Sequence, residues 1–494
     1  MNKLLRGLIL LGALGLVFAV MALLGSRSGS RGALQRYKAE LRAQGEKLTF
    51  AEFPHGRRTN AVDSHAIITN AVAELVGARL NPGMLELRKY VQPGRAIVTW
   101  RQANPLWGQP VGAGGGGTWE ELAVQMQAAQ STLQEIRDAL KEPALDGGPR
   151  TNLLTGRRVN FVAIRTAAQW LMGAAENDLH LGRLEAGLRN LEALAALGRM
   201  EREACTLVAQ MIRVSVVGLG LSATWEALQV SGWTEPQLER LQKAWELLDL
   251  VEALETGLVG ERAGIEDLFA LLRNSRGHQI ARLFRNMMPV GPSSLKETFA
   301  ELGRAYLYFP AYKLTCIDGD ELLYLKTMQG GVKTVRLLEA HRPWLEANQQ
   351  LVKALAGLDR AARFPGEYRY YVSLLAMPNC VRAGERAIHV EMERQLTLAA
   401  IALKRFQLRH GKLPQNLEAL VPEFLPVRPY DYMSAKTLGY RLKDNGSYAL
   451  YSVGDDGKDD GGDPAPSPGT PAGLWAGRDA VWPSPAAEPG EPVP

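Results

Sequence analysis

From residue 61 to residue 409 the apolar side chains recur at intervals of three and four, and they never settle into sustained alternation. A three-to-four period puts them on one face of an α-helix, so this stretch can bury its apolar surface only by packing helix against helix. In "TEPQLERLQKAWELLDLVEAL" the stripe is Leu238, Leu241, Trp245, Leu248 and Val251. Thr234 precedes it with Gln237 three positions on, and Pro236 lies in the first turn, which predicts a capped helix start. The run "CTLVAQMIRVSVVGLGLSATW" carries only Arg213 as a charge. Gly218, Gly220, Ser215 and Ser222 dilute it, so a buried helix is expected rather than a second membrane span.

A chain of 494 residues exceeds what one core usually organises, so several units are expected. Its formal charge of +5 is spread over 57 basic and 52 acidic residues rather than gathered in a stripe. Neutralising phosphates requires such a stripe, so nucleic acid is not an expected partner. Cys205, Cys316 and Cys380 are far apart, contain no Cys-x-x-Cys pair and read as small buried hydrophobes rather than as a disulfide framework or zinc site.

Ahead of the helical body stands "MNKLLRGLILLGALGLVFAVMALLG", in which Lys3 and Arg6 precede an uncharged run from Gly7 to Gly25. A spanning helix needs ~20 apolar residues, so residues 1–25 are expected to be a single-pass membrane anchor. A signal peptide is the competing reading, with Val20-Met21-Ala22 as its cleavage site. The short basic start before one apolar helix places the bulk of the chain on the far side, in the periplasm of a bacterial inner membrane. Arg27, Arg31, Arg36 and Lys38 argue for the opposite orientation.

Several chemical motifs fail on inspection. Gly112, Gly114 and Gly117 satisfy G-x-G-x-x-G, but "NPLWGQP" before them is no strand, so a dinucleotide site is not implied. Thr118 and Glu121 instead form a capping box for the next helix. Asp318, Asp320 and Glu321 in "CIDGDELLY" could be paired carboxylates for acid–base chemistry, although a turn and a capped helix account for them. These three are the first candidates if the chain is a membrane-tethered enzyme; no other motif argues for catalysis.

At "AAENDLHLGRLEAGLRNLEALAALGR", residues 174–199, the small pair Ala174-Ala175, Gly182 between two helices, and Gly187, Leu191 and Leu194 on the second resemble one tetratricopeptide hairpin. The resemblance implies stacked helical pairs and a surface for a protein partner, but no function of its own.

Beyond Gly384 the pattern changes. "GERAIHVEMERQLTLAAIALKRFQLRHG" reads as a long helix with Ile388, Met392, Leu396, Ala399, Leu403 and Phe406 on one stripe and Gly411 to end it. "KLPQNLEALVPEFLP" is a short helix between prolines, and "TLGYRLKDNGSYALYSVG" alternates about Asn445-Gly446, a hairpin signal. The order "HGKLPQNLEALVPEFLP", Asp431, Leu438, Tyr440 and "YALYSVGDDGKDDGG" resembles the globular domain of type II secretion pseudopilins of the major, G type. That resemblance implies an α+β module whose last loop holds calcium through aspartates and main-chain carbonyls. Asp456 matches the family's Asp-Gly aspartate, Asp459, Asp460 and Asp463 fall in its acidic segment, and Asp455 with the carbonyls of Val453 and Lys458 are neighbours. This chain departs from the family at Asp431-Tyr432-Met433 and at Ala435, where a glycine is usual, and it lacks the family's amino-terminal processing site.

The expected architecture is therefore mainly α: anchor 1–25, juxtamembrane segment 26–60, a scaffold of packed helical hairpins over 61–383, a pseudopilin-like helix plus antiparallel sheet over 384–463, and a disordered Pro/Gly/Ala-rich tail over 464–494. The expected role is a non-enzymatic scaffold or adaptor of the bacterial envelope, its acidic loop being either a solvated acidic end or a calcium site at Asp456, Asp459, Asp460 and Asp463.

Overall fold

The computed structural model describes residues 29–53, 63–75, 78, 80–108, 117–145, 159–287, 302–364, 366–466 and 473–486. The expected anchor, residues 1–25, and the glycines Gly112 and Gly114 lie outside them. Helix accounts for 65% and strand for 7%, so the chain is mainly α.

The amphipathic stripes become helices where caps and glycines frame them. The first described helix, α1, spans residues 29–43. It is followed by α2 (Ser64–Glu74), α3 (Trp119–Ala128), α4 (Gln130–Ala139), α5 (Phe161–His180), α6 (Leu184–Arg199) and α7 (Leu207–Leu228). Next come α8 (Glu235–Glu246), α9 (Val251–Asn274) and α10 (Gly277–Met287). A π-helical turn, Arg304–Tyr308, leads into α11 (Phe309–Thr315), α12 (Ile317–Glu339), α13 (Trp344–Ala361), the single turn α14 (Gly366–Arg369) and the 40-residue α15 (Tyr371–His410). Reciprocal capping boxes open α3 at Thr118/Glu121 and α8 at Thr234/Gln237. The α5–α6 hairpin turns at Gly182, whose φ of 70° suits a residue without Cβ.

The stripe Leu238, Leu241, Trp245, Leu248 and Val251 is buried throughout, but it is shared by two helices rather than one. Asp249 causes the break: its carboxylate accepts from Val251 N and Glu252 N, both at 3.0 Å, and starts α9 anew. Helix α7 is long and apolar enough to cross a membrane, yet 67% of its most apolar window is buried inside the protein. Gly220 lets the Trp245 ring lie against its backbone, since a Cβ there would stand 2.5 Å from the indole. Cys205 and Cys316 are half-buried, less enclosed than expected.

Helix α15 begins at Tyr371, so the boundary expected at 383/384 falls inside one continuous helix. It packs against α7, α8, α9 and α12 on one side and the C-terminal sheet on the other. One hydrophobic core accordingly runs from Ile68 in α2 to Trp482 near the end of the described chain. Its stripe is buried at Ile388, Met392, Leu396, Ala399 and Leu403, and Gly411 ends it with φ 69°.

Strand β3 (Tyr430–Asp431) pairs antiparallel with β4 (Lys436–Thr437), and β5 (Gly439–Leu442) with β6 (Tyr448–Ser452) across the Asn445-Gly446 turn. The short segment expected between prolines is a 3-10 turn, Leu417–Leu420. Two features depart from expectation. A small hairpin, β1 (Tyr90–Gln92) with β2 (Arg95–Ala96), interrupts the helical body. Within the tail expected to be disordered, residues 473–486 are packed: β7 (Ala480–Val481) extends the β5–β6 sheet, and β8 (Ser484–Pro485) runs parallel to β2. The tail can order because Leu474, Ala480 and Trp482 supply buried apolar surface and Trp225 Nε1 donates to Pro483 O at 2.9 Å.

Candidate functional site

The acidic loop leaves β6 as a series of tight turns, with Gly454, Gly457, Gly461 and Gly462 all at φ between 67° and 81°. Three of the four predicted carboxylates have local partners. Asp456 accepts from Lys458 N at 3.0 Å. Asp459 accepts from Gly461 N at 2.9 Å and from the Tyr451 hydroxyl at 3.0 Å. Asp463 accepts from Ala465 N at 2.9 Å and pairs with Arg478 at 3.4 Å. The loop closes on a residue that sequence reasoning did not select: buried Asp479 accepts from the backbone amides of Asp460, Gly462 and Asp463 at 3.3, 2.6 and 3.1 Å. Burial pushes the Asp479 carboxyl up, against the pull of those amides.

Calcium needs six to eight oxygens around one point. Among the described residues, no three of Asp456, Asp459, Asp460 and Asp463 bring carboxylate oxygens within 4.8 Å of one another. These four side chains therefore do not converge as a cluster; Asp456, Asp459 and Asp463 each accept from a backbone amide two residues on. The group that does converge is Glu385, His389 and Asp455, whose donor atoms all lie within 4.8 Å. Glu385 and His389 are one turn apart on α15, and His389 Nε2 is 2.8 Å from Asp455 Oδ1. Trp475 from the tail stacks flat on the imidazole, with centroids 4.0 Å apart and planes 7° apart. Nitrogen and carboxylate donors of this kind could hold a divalent cation such as zinc. In the structure they tie the acidic loop to α15.

Asp431, matched by the resemblance, is buried and accepts from Met433 N, Ser434 Oγ, Ser452 Oγ and Val453 N at 2.8–3.2 Å. It joins the β3 turn to the end of β6. Ala435, where the resembled family carries glycine, sits at φ 59°.

The three acids at the start of α12 do more than cap a helix. Asp320 is buried and accepts from the Tyr312 hydroxyl, Val372 N, Ser373 N and Ser373 Oγ, all within 2.5–3.1 Å. Burial raises its carboxyl to about 6 despite these donors. Asp318 and Glu321 both pair with Arg273 of α9, and Glu321 also pairs with Lys38 of α1. Lys38 reaches Glu266 at 2.5 Å as well. The acids thus fasten α1, α9, α12 and α15 together.

A further polar groove of about 470 Å³ runs between the α3–α4 pair and the α5–α6 pair. Arg137, Arg183 and Arg189 line it with Asn177, Asp178 and Asn190. Arg137 donates to Asn190 at 2.8 Å, Asn190 to Asp178 at 3.0 Å, and Arg183 pairs with Asp178 at 2.9 Å. Burial, and then the like charge of Arg189, push the Arg137 pKa down. Among the described residues, the buried amide oxygen of Asn177 has no hydrogen-bond partner. The sequence signal was present only as a resemblance to a partner-binding hairpin; four separate helices supply the groove.

Comparison with protein-family models, with curated proteins and with solved structures finds no match to this chain.

Proposed function

We propose that the chain is a non-enzymatic scaffold or adaptor of a bacterial envelope, held to the inner membrane by residues 1–25 with its bulk in the periplasm, that receives an acidic segment of a partner protein. The carrying observation is the groove of Arg137, Arg183 and Arg189. Three guanidinium groups face one carboxylate there, and their mutual repulsion is relieved when an anionic side chain enters. Its walls are two helical pairs with buried contacts, so the surface is preformed and costs little ordering on binding. The pseudopilin-like module is supported as part of the same body by α15, which runs through both.

The enzyme alternative would rest on Asp318, Asp320 and Glu321. Their oxygens are committed to Tyr312, Ser373, Arg273 and Lys38, which supports a fastening role. A photoreactive residue in place of Gln134 in the full chain, expressed in cells, should yield one discrete protein adduct. Adding Arg137→Glu and Arg189→Glu should abolish it. Persistence of the adduct in the charge-reversed chain, or a turnover lost on Asp320→Asn with the fold intact, would overturn this function.

A further inference from the structure

The surface around the π-helical turn is unlike the rest of the molecule. Leu307, Ala311 and Leu314 recur at i, i+4 and i+7 and are all exposed, Leu307 by 75%. Leu302 and Tyr306 lie beside them at 47% and 65%. The patch continues into the chain after α13. The Tyr368 ring meets Tyr308 edge-on at 6.3 Å, and Phe364, 82% exposed, meets Tyr368 at 6.3 Å. Aromatic and aliphatic groups of this size are not ordinarily left in water as a continuous face.

Charge accompanies the patch. The stretches 276–287 and 302–315 contain Arg276, Arg282, Arg285, Arg304 and Lys313 and no acidic residue. Arg276, Arg282 and Arg304 are exposed, as are Arg363 and Arg369 on the adjoining segment, where exposed Glu367 is the one acid between them. Aromatic and aliphatic tips ringed by arginine suit the boundary between lipid headgroups and acyl chains, where anionic lipid adds attraction for each basic side chain.

The position of α1 says which surface covers the patch. Ser30, at the start of α1, lies 3.6 Å from where a Cβ on Gly319 would stand, just past the end of α11. The described chain therefore begins at the same end of the body as Leu314, and the apolar run Gly7–Gly25 precedes it in sequence. Contacts of Lys38 with Glu266 and Glu321 hold α1 there, and only residues 26–28 separate α1 from the apolar run in sequence.

We propose that this face, centred on Leu307, Leu314, Tyr306 and Phe364 and rimmed by Arg276, Arg282 and Arg304, lies on the surface of an anionic bilayer, the one that residues 7–25 enter. The body then lies down on the membrane instead of swinging from a tether. This rests on the anchor part of the function proposed above, and the test separates the two.

The full chain is reconstituted into phosphatidylcholine vesicles containing phosphatidylglycerol, with a photoreactive phenylalanine analogue placed in turn at Tyr306, Phe364, Leu14, Val124 and Val427. Phospholipid adducts are read by mass. Adducts at 306 and 364, with none at the exposed controls 124 and 427, are expected. Arg282→Glu with Arg304→Glu should lower the yield at 306 about tenfold while leaving that at Leu14 unchanged. A lipid adduct at Leu14 with none at 306 and 364 overturns the membrane face and leaves the anchor standing. No adduct at any of the three overturns both, and an adduct to a second copy of the chain at 306 replaces the bilayer by a self-association surface.

Discussion

Arg262 of α9, fully buried, donates through Nη2 to Glu46 Oε2 at 2.8 Å, across 216 positions of sequence. Arg336 and Gln329 of α12 bind the same carboxylate at 2.5 and 2.8 Å, and Arg262 also holds Lys47 O at 2.9 Å. The segment that follows the apolar amino terminus is thereby fixed to two scaffold helices through one glutamate.

Glu46→Gln should destabilise the protein by about 3 kcal/mol, because it removes one partner of a buried ion pair and leaves Arg262 uncompensated. Burial raises the Glu46 carboxyl, but hydrogen bonds from Arg336 and Arg262 win and hold it at about 2. A folded-state value below the unfolded one stabilises above about pH 4.5, and that stability is lost as pH falls toward 2. Urea titrations between pH 6 and pH 3 should show a steep decline in the wild-type protein and a shallower one in Glu46→Gln. Equal slopes would mean that Glu46 carries none of the acid sensitivity.

Glu266 has the opposite sign. Burial first, and then the neighbouring Glu321, raise it to about 8, with Lys38 opposing. The folded protein therefore keeps a proton that the unfolded chain releases near pH 4.5. Stability attributable to this group falls as pH rises from about 4.5 to 8, by roughly 1.4 kcal/mol per pH unit, and levels off above. Glu266→Gln should flatten this part of the profile, measured by chemical denaturation at pH 5.5 and 8. A parallel profile in the variant would count against the protonated form.

Ala435 at φ 59° adopts a conformation that costs an L-residue roughly 1 kcal/mol, a cost glycine does not carry. Ala435→Gly should stabilise the protein by up to about 1 kcal/mol, less the extra backbone entropy of glycine in the unfolded chain. Thermal denaturation of the pair decides it; a loss of 1 kcal/mol or more would show that the turn tolerates alanine without strain.

Asp479 is the keystone of the acidic loop. Asp479→Ala strands the amides of Asp460, Gly462 and Asp463, so a loss of about 2 kcal/mol and faster proteolysis within 455–463 are expected. Because Asp456, Asp459 and Asp463 already accept from backbone amides, millimolar calcium should leave the melting temperature of the full chain unchanged within about 1 °C. A rise of several degrees that disappears in the Asp456→Ala, Asp460→Ala double variant would show that the loop rearranges around an ion.

What the residues alone determined is local. The period of Leu238, Leu241 and Trp245, the Thr118 and Thr234 caps, Gly411 and the Asn445-Gly446 turn each depend on neighbours within a turn or two, and the structure has them where the sequence reading expects them. Asp249 was missed as a break because a helix-compatible stripe runs straight through it. Residues 473–486 depart from expectation for another reason: their composition is that of a disordered segment, and only the partners they meet, β6, β2 and Trp225, make ordering favourable.

The same division applies to the sites. Sequence reading saw the aspartates as a crowded set, since spacing along a chain says nothing of the direction each carboxylate takes. Tertiary structure set Asp456, Asp459 and Asp463 against successive backbone amides, brought Asp479 beneath the loop, set His389 against Asp455, and placed Arg137 of α4 beside Arg183 and Arg189 at the start of α6. Helices and turns arise from short-range periodicity and backbone sterics. Convergence of charged groups depends on how those elements pack, and packing is decided by the whole core.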